Sequence, residues 1–339
     1  MLGLGLSLSN IAVMHQRGPT PVISIQSGGG YAGAVYAASV AGGQWYADGV
    51  AIIGATSQTW TMTAAYEGAA ITYRVGARAS NAIELWVVSD LGAPPFAQFD
   101  ARVSSSIMIS SPYITSWSSL VGSLSASSVS GAQPTYSATA IGGNPGAVCD
   151  GVNDFLATAP VAHPAAWTVQ IVAKKTALGT LKILAAADDE VLGRQAQLLR
   201  VSASNKIETV AFNTSGAVAL AATTTSISAG APFIAAAVHQ TSPTKVLTAY
   251  LNDAGSGSVT PGGTPRTLSA ALSIGAGLSN GNPVTPFDGA ISELIYISRD
   301  VTTDERQKLA AYSAWRFGLE ASLDMTNPYR TAPPFVTAP

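Results

Sequence analysis

Two short glycine motifs have spacings that could carry chemistry. Residues 28–33 read Gly-x-Gly-x-x-Gly, as in a dinucleotide-binding turn, and residues 277–281 read Gly-x-Ser-x-Gly, as in the nucleophile elbow of hydrolases. The first motif requires a long crossover helix behind it, but only residues 34–41 precede the next glycine pair. The second requires a histidine later in the chain, and no histidine follows Ser279. The sequence therefore predicts a plain glycine-rich turn and a surface loop, with no catalytic residue and no nucleotide cofactor.

The acidic residues and histidines offer one candidate metal site. Asp150 and Asp154 flank a predicted turn, and their carboxylate oxygens are of the kind that Ca²⁺ prefers. Hydrogen bonds from the two carboxylates to the turn backbone are the alternative. His15, His163 and His239 lack zinc-ligand spacing, so no transition-metal site is predicted.

A sugar site needs an aromatic platform together with amide and hydroxyl groups on loops. The candidates for such a site are Trp117, Asn153, Asn280 and Asn282. A core position for the tryptophan and turn positions for the asparagines are the alternatives. No pair of carboxylates is marked out for glycoside hydrolysis, so the chain is predicted not to be an enzyme.

Charge is scarce in this chain of 339 residues. Only 11% of the residues are Asp, Glu, Lys or Arg, against roughly 25% in an average soluble domain. The formal net charge is −2 and no basic block occurs, so neither nucleic acid nor an anionic membrane is an expected partner. With no apolar stretch of 18 residues, membrane insertion is not expected. The single cysteine, Cys149, excludes an internal disulfide and is predicted to be a small buried apolar residue.

Short runs of strand-forming residues between glycine and proline clusters predict an all-β fold. One helix is expected, because Thr302 and Glu305 form a capping box and Gly318 follows the last apolar position. Leu309, Tyr312 and Trp315 recur on one face of this helix, and we expect them to pack on the second domain.

Three regions are predicted along the chain. Residues 1–18 form an apolar N-terminal arm that docks on a partner subunit, residues 19–92 form a first module, and residues 94–335 form a second. The linker between the modules is Gly-Ala-Pro-Pro at residues 92–95.

The first module resembles bacterial and phage immunoglobulin-like modules. The resemblance rests on Trp45, the hairpin pair Asp48-Gly49, a Gly-Ala-Thr turn at residues 54–56, and the run at residues 71–75 that follows Gly68. It implies a two-sheet sandwich with Trp45 between the sheets and with a spacer role.

The second module resembles the concanavalin A-like, laminin-G-type jelly roll of phage and bacterial surface proteins. Three segments carry the resemblance: residues 98–104 with Trp117, residues 133–136 followed by 147–156, and residues 287–296 running into Trp315. The resemblance implies a β-sandwich closed by one C-terminal helix.

Together the two resemblances imply a structural fibre or spike subunit of a phage-like particle or gene transfer agent. On this interpretation the protein is a homo-oligomer on the surface of the virion or extracellular particle. Its arm contacts other virion structural proteins, and its lectin-like domain binds a host cell-surface glycan. A purely structural decoration protein without a ligand and a polysaccharide-degrading enzyme are the alternatives.

Overall fold

The structure is a computed structural model that describes residues 19–92, 95–189 and 194–336. The predicted arm at residues 1–18 lies outside the described residues, and so does the middle of the predicted linker, residues 93–94. The described chain is all-β with one long helix, as the sequence predicts. No helix in the described part of the chain is long and apolar enough to span a membrane.

The first module consists of two small antiparallel sheets, one of order β1-β2-β5 and one of order β4-β3-β6-β7. Trp45 of β3 is fully buried and packs between Tyr36 of β2 and Tyr73 of β6. Asp48 and Gly49 both have positive φ and form the tight hairpin between β3 and β4. Trp45 and the Asp-Gly hairpin thus take the positions predicted for them. The strands of this module are β1 Ile23–Ser27, β2 Val35–Ala38, β3 Gln44–Ala47, β4 Val50–Ala51, β5 Thr59–Thr61, β6 Ile71–Val75 and β7 Arg78–Ala79.

The second module is a larger sandwich of two antiparallel sheets. Its strands are β8 Ala97–Asp100, β9 Ile107–Ser110, β10 Tyr113–Ser118, β11 Ser125–Ser127, β12 Thr135–Ile141, β13 Asn144–Asp150, β14 Leu156–Thr158, β15 Val161–His163, β16 Trp167–Lys175, β17 Lys182–Asp189, β18 Arg194–Val201, β19 Lys206–Phe212, β20 Val218–Ser226, β21 Pro232–Gln240, β22 Val246–Leu251, β23 Ala254–Val259, β24 Leu268–Ile274, β25 Gly277–Ser279, β26 Asn282–Val284 and β27 Asp288–Ile297. The helix α1, Thr303–Phe317, follows β27.

One sheet runs β23-β22-β21-β16-β27, with β8 and β13 both paired along the far edge of β27. The other runs β9-β10-β11-β14-β24-β17-β18-β19-β20, with β15 also paired to β24. Strand β12 pairs with β13 of the first sheet and with β10 of the second, so it joins the two sheets along one edge. The core between the sheets is built from interleaved apolar side chains, including Phe99, Trp117 and Leu294.

The helix begins and ends where the sequence predicts. Thr302 caps its N-terminus, the Glu305 side chain accepts a hydrogen bond from the Thr302 amide, and Gly318 takes a left-handed conformation at its C-terminus. Its predicted apolar face, however, does not pack on the second module alone. Tyr312 makes edge-on ring contacts with Tyr31 and Trp86 of the first module. The helix therefore lies between the modules, and its alanine-rich face is the one that packs on the jelly-roll sheet.

The glycine run at residues 28–30 is a contact surface for this helix. Gly28, Gly29 and Gly30 all have positive φ, and a Cβ at Gly29 would overlap the indole ring of Trp315. A left-handed turn of glycines is needed at this point so that the helix can approach the first module closely. The predicted glycine-rich turn is thus confirmed.

The C-terminal tail returns to the first module. The Trp86 amide donates to the Pro334 carbonyl, Phe335 forms a bridge with Leu85, and the Val336 amide donates to the Glu84 carbonyl. The tail therefore contacts residues 84–86, close to the end of the first module.

A buried charge network also joins the modules. Arg316 of α1 pairs with Asp100 of β8 and Glu293 of β27, and its Nε lies 3.4 Å from Oε2 of Glu67 in the first module. Glu67 also lies 3.2 Å from Arg102. None of the five side chains is more than 10% exposed. The cluster contains three acidic side chains and two arginine side chains, so it has one more acidic group than basic groups.

The pKa values of the network are set by burial and by the neighbouring charges. Burial raises the pKa of Glu293; Arg316 lowers it and Asp100 raises it, and the net pKa lies above its usual value. Burial lowers the pKa of Arg316, but Asp100 and its other neighbours raise it, so it stays well above its usual range.

Candidate functional site

A polar pocket of about 450 Å³ opens where β10, β12 and β13 come together at the joined edge of the sandwich. The residues that line it are Tyr113, Gly131, Gln133, Thr135, Asp150, Asn153 and Asp154. Strand pairing assembles it, because Tyr113 of β10 pairs with Thr135 of β12, and Thr135 pairs with Val148 of β13. The pocket therefore combines an aromatic ring, two side-chain amides, a hydroxyl and two carboxylates.

The turn at residues 150–154 forms one wall of the pocket. Oδ1 of Asp150 accepts hydrogen bonds from the Val152 and Asn153 amides at 2.8 and 3.3 Å. Oδ2 of Asp154 accepts one from the Asp150 amide at 3.0 Å. The Asn153 side chain donates from Nδ2 to the Gly131 carbonyl at 2.7 Å. The turn is thus held by its own polar side chains, which fixes the wall before any ligand arrives.

The pKa of Asp154 is raised above its usual value. The residue is only 7% exposed. Burial raises its pKa to about 6, the hydrogen bond from the Asp150 amide opposes the shift, and the Asp150 charge adds to it. At pH 7 the wall carries Asp150 at its exposed rim and a largely ionised Asp154 behind it.

Tyr113 is the aromatic surface of the pocket. It follows the cis peptide bond between Ser111 and Pro112 and is 46% exposed. A ring held at a strand end, half in solvent and beside polar side chains, is the arrangement in which an aromatic residue can stack on a sugar face.

The structure separates the predicted sugar-site residues. Asn153 lines the pocket, whereas Asn280 and Asn282 lie in the β25–β26 hairpin and are not among the lining residues. Asn280 has a positive φ of 50°, and the Asn282 side chain donates to its carbonyl, so both act as turn residues. Trp117 is fully buried against Phe99. A ring buried in the core cannot stack on a ligand, so Trp117 is a core residue and not a binding platform.

The donor set does not form a metal cage. No group of three or more His, Cys, Asp or Glu side chains suited to a metal occurs among the described residues. Asp150 and Asp154 each use a carboxylate oxygen to accept hydrogen bonds from backbone amides. The raised pKa of Asp154 also opposes metal binding. Ca²⁺ takes six to eight oxygen ligands, so these two carboxylates alone fit it poorly. The acidic run at residues 188–190 begins inside β17.

The remaining motifs have structural roles. Residues 277–281 form a strand, a turn and a strand, which is not the strand-to-helix elbow of a hydrolase. His163 is buried between the Tyr296 hydroxyl and the Ala270 carbonyl, and burial lowers its pKa. His239 is buried against Trp167, and burial lowers its pKa as well. Cys149 is buried as predicted, and burial raises the pKa of its thiol.

Sequence reasoning missed Tyr113, Gln133 and Thr135. A signal was present for the first of these, because an aromatic residue directly after Ser-Pro between two strand-like runs indicates an exposed turn. A β-bulge explains why Tyr113 and Trp117 lie on opposite faces of β10. In a regular strand these two residues would share a face, but the bulge between Ile114 and Ser116 leaves Tyr113 outside and turns Trp117 into the core.

Comparison with known proteins gives similarity in fold only. No family model and no curated protein matches the sequence. The carbohydrate-binding module CBM40 of the Ruminococcus gnavus IT-sialidase, bound to α2,3-sialyllactose, aligns with 42% of this chain and 81% of its own, at 15% identity and a TM-score of 0.37. The receptor-binding domain of botulinum neurotoxin type G aligns with 65% of this chain and 52% of its own, at 11% identity and a TM-score of 0.46.

A third solved structure, the Trypanosoma rangeli sialidase in complex with sialic acid, aligns with 63% of this chain and 32% of its own, at 11% identity and a TM-score of 0.45. At these identities and TM-scores nothing follows about the ligand of the present protein.

Proposed function

We propose that the protein binds a neutral carbohydrate in the pocket beside Tyr113. The observation that carries the proposal is the meeting of an exposed aromatic ring with the amides of Gln133 and Asn153 and the Thr135 hydroxyl around a volume of 450 Å³. Such a set can stack on the apolar face of a sugar and hydrogen-bond to its hydroxyl groups.

The charge of the pocket selects against acidic sugars. Asp150 and Asp154 are its only ionisable side chains besides the Tyr113 phenol, and none of its lining residues is basic. A basic group that contacts the turn, Lys182 Nζ, donates to the Gly151 carbonyl at 2.9 Å. A carboxylate of a sialic or uronic acid would meet like charge without an arginine to pair with it.

Binding and charge selection are tested together by titrating the protein with neutral oligosaccharides and with their sialylated counterparts. The variant Tyr113→Ala is expected to lose at least tenfold in affinity, about 1.4 kcal/mol, because the stacking surface is gone. Tyr46→Ala, which removes a tyrosine from β3 of the first module, serves as the control and should bind normally. Equal affinity of the wild type and Tyr113→Ala for every sugar would refute the proposed site. Absence of any binding would favour a decoration protein without a ligand.

The proposal is for binding without hydrolysis. It is supported by the engagement of both pocket carboxylates with backbone amides, which leaves neither as a free acid paired across a groove. Incubation with a bound oligosaccharide should release no new reducing ends, and steady release would show an enzyme.

A role as a fibre or spike subunit on a phage-like particle is a further part of the proposal. It is supported by the low charge of the chain and by the resemblances of its two modules to phage surface proteins. Immunogold labelling of purified particles with an antibody to this chain is expected to mark their surface. Particles that contain none of the chain would exclude the role.

A further inference from the structure

The polar pocket of the second module contains two carboxylate oxygens that are free to bind a ligand. Oδ1 of Asp150 and Oδ2 of Asp154 accept hydrogen bonds from backbone amides, but within the described residues the other oxygen of each carboxylate accepts none. Two of the donors in the pocket are already used, because Asn153 Nδ2 and Thr135 Oγ1 both donate to backbone carbonyls. A ligand must therefore bring hydrogen-bond donors of its own to the two carboxylates.

The charge of Asp154 is held in a nearly buried position. The residue is 7% exposed, and the pocket is lined by it. A carboxylate that has lost most of its water gains more from a donor than an exposed carboxylate does, and it gains most from a donor that is itself positively charged.

The charges around the pocket do not neutralise it. None of the lining residues is basic. Outside the lining, Lys182 donates to a backbone carbonyl of the turn, and Lys175 lies 3.2 Å from Asp288, the strand partner of Asp150. Since Lys175 and Asp288 compensate each other, Lys182 alone stands against Asp150 and Asp154, and the pocket keeps a net negative charge.

The ring of Tyr113 provides a second attraction for positive charge. It lines the pocket and is 46% exposed, so part of its surface is open to a ligand. The face of an aromatic ring is negative and attracts a cation that lies over it.

We infer that the pocket prefers an amino sugar, with its amine protonated, to the neutral sugar of the same configuration. The inference rests on the proposed function, because the sugar ring still stacks on Tyr113. The ammonium group takes the place of one hydroxyl and donates to the free oxygens of Asp150 and Asp154. An ammonium group has three donors where a hydroxyl has one, and its charge is opposite to that of the pocket. The order of affinity is therefore amino sugar, neutral sugar, acidic sugar.

The experiment is an NMR titration of the full chain with the methyl glycosides of glucose, glucosamine, galactose and galactosamine. Within each pair the two sugars differ only in a hydroxyl or an ammonium group at one carbon. At pH 7 and low salt, the amino sugar of a pair that binds should bind about tenfold more tightly than its neutral partner. High salt should reduce this preference, because it screens the charges at the exposed rim.

The pH dependence and two variants test the role of the carboxylates. The preference should be smaller at pH 5 than at pH 7, because Asp154, with a pKa of about 6, takes up a proton in between while the sugar amine stays charged. Asp154→Asn should lower the preference to less than about threefold and remove this pH dependence. Asp48→Asn, the matched control, removes an exposed carboxylate from the β3–β4 hairpin of the first module and should keep the full preference.

The outcomes separate this inference from the proposed function. Equal affinity for the two sugars of a pair would overturn the inference and leave the proposed site intact, whereas no binding of either sugar would refute the site itself. Nα-acetyl-lysine amide carries the same ammonium group without a sugar ring, and binding of this probe as tight as that of the amino sugar would overturn the assignment to a sugar. The salt and pH dependence of the wild type test the inference even if Asp154→Asn does not fold.

Discussion

Replacement of Arg316 by methionine is expected to destabilise the protein strongly. The side chain is 3% exposed, and its partners Asp100 and Glu293 are 0% and 1% exposed, so the substitution leaves two buried carboxylates without their base. Breaking a buried ion pair from one side costs about 3–5 kcal/mol, a large share of the roughly 5–15 kcal/mol that holds a domain folded. Methionine keeps most of the side-chain volume, so the loss reports the charge and not a cavity.

The measurement is urea unfolding at pH 7 and 25 °C, with the free energy of unfolding extrapolated to water. Arg330→Met is the matched control. Its side chain makes one exposed hydrogen bond, to the Ala321 carbonyl, and its loss should change stability by less than about 1 kcal/mol.

The pH dependence of the Arg316→Met defect gives a second check. Burial already raises the pKa of Glu293 in the wild type, and loss of the neighbouring positive charge raises it further. A carboxyl with a raised folded-state pKa stabilises the fold at low pH, and this contribution is lost as the pH rises through that pKa. The defect should therefore be larger at pH 8 than at pH 5, and adding Glu293→Gln should restore part of it. A defect below about 1 kcal/mol at pH 7, or one that does not change with pH, would refute the network as described.

Two further predictions concern single positions. Gly29→Ala should destabilise by more than about 1 kcal/mol in urea unfolding, since the new methyl group meets Trp315, whereas Gly33→Ala has a similar positive φ but open space and should cost less; equal costs would contradict the close contact. Asp154→Asn should flatten the pH dependence of stability between pH 5 and 8 by about 1–2 kcal/mol. The wild-type carboxyl has a pKa of about 6 in the folded state against roughly 3.9 in the unfolded state, so it stabilises the fold below about pH 4 and loses that effect as the pH rises through 6. The side-chain oxygen of the substituted asparagine can still accept the hydrogen bond from the Asp150 backbone amide. An unchanged pH profile in this variant would show that Asp154 does not titrate there.

Local signals in the sequence were reliable guides to local structure. The capping box at Thr302 and the glycine at 318 set the helix ends, because caps depend only on neighbouring residues. The Asp48-Gly49 hairpin followed for the same reason. For Asp150 and Asp154 the turn pattern left calcium binding and backbone hydrogen bonds open, and the structure shows the backbone hydrogen bonds.

Partners distant in the chain could not be predicted in this way. The spacing of Leu309 and Tyr312 shows an apolar face but not what covers it, and the first module, which ends more than 200 residues earlier, is part of the cover. The polar pocket depends on the pairing of β10 with β12, and one inserted residue in β10 decides whether Tyr113 or Trp117 faces solvent. A bulge leaves no mark in the pattern of residue types.

The return of the tail to Leu85 and Trp86 has a consequence for how such a chain can diversify. The jelly roll is a long insertion between two chain segments, residues 84–86 and 334–336, that lie side by side on the first module. The loops around its polar pocket can vary while the contacts between the two modules stay the same. The contacts between the modules, which include those of Trp315 with Gly29, of Tyr312 with Trp86 and of Arg316 with Glu67, must be preserved for the two modules to keep one relative orientation.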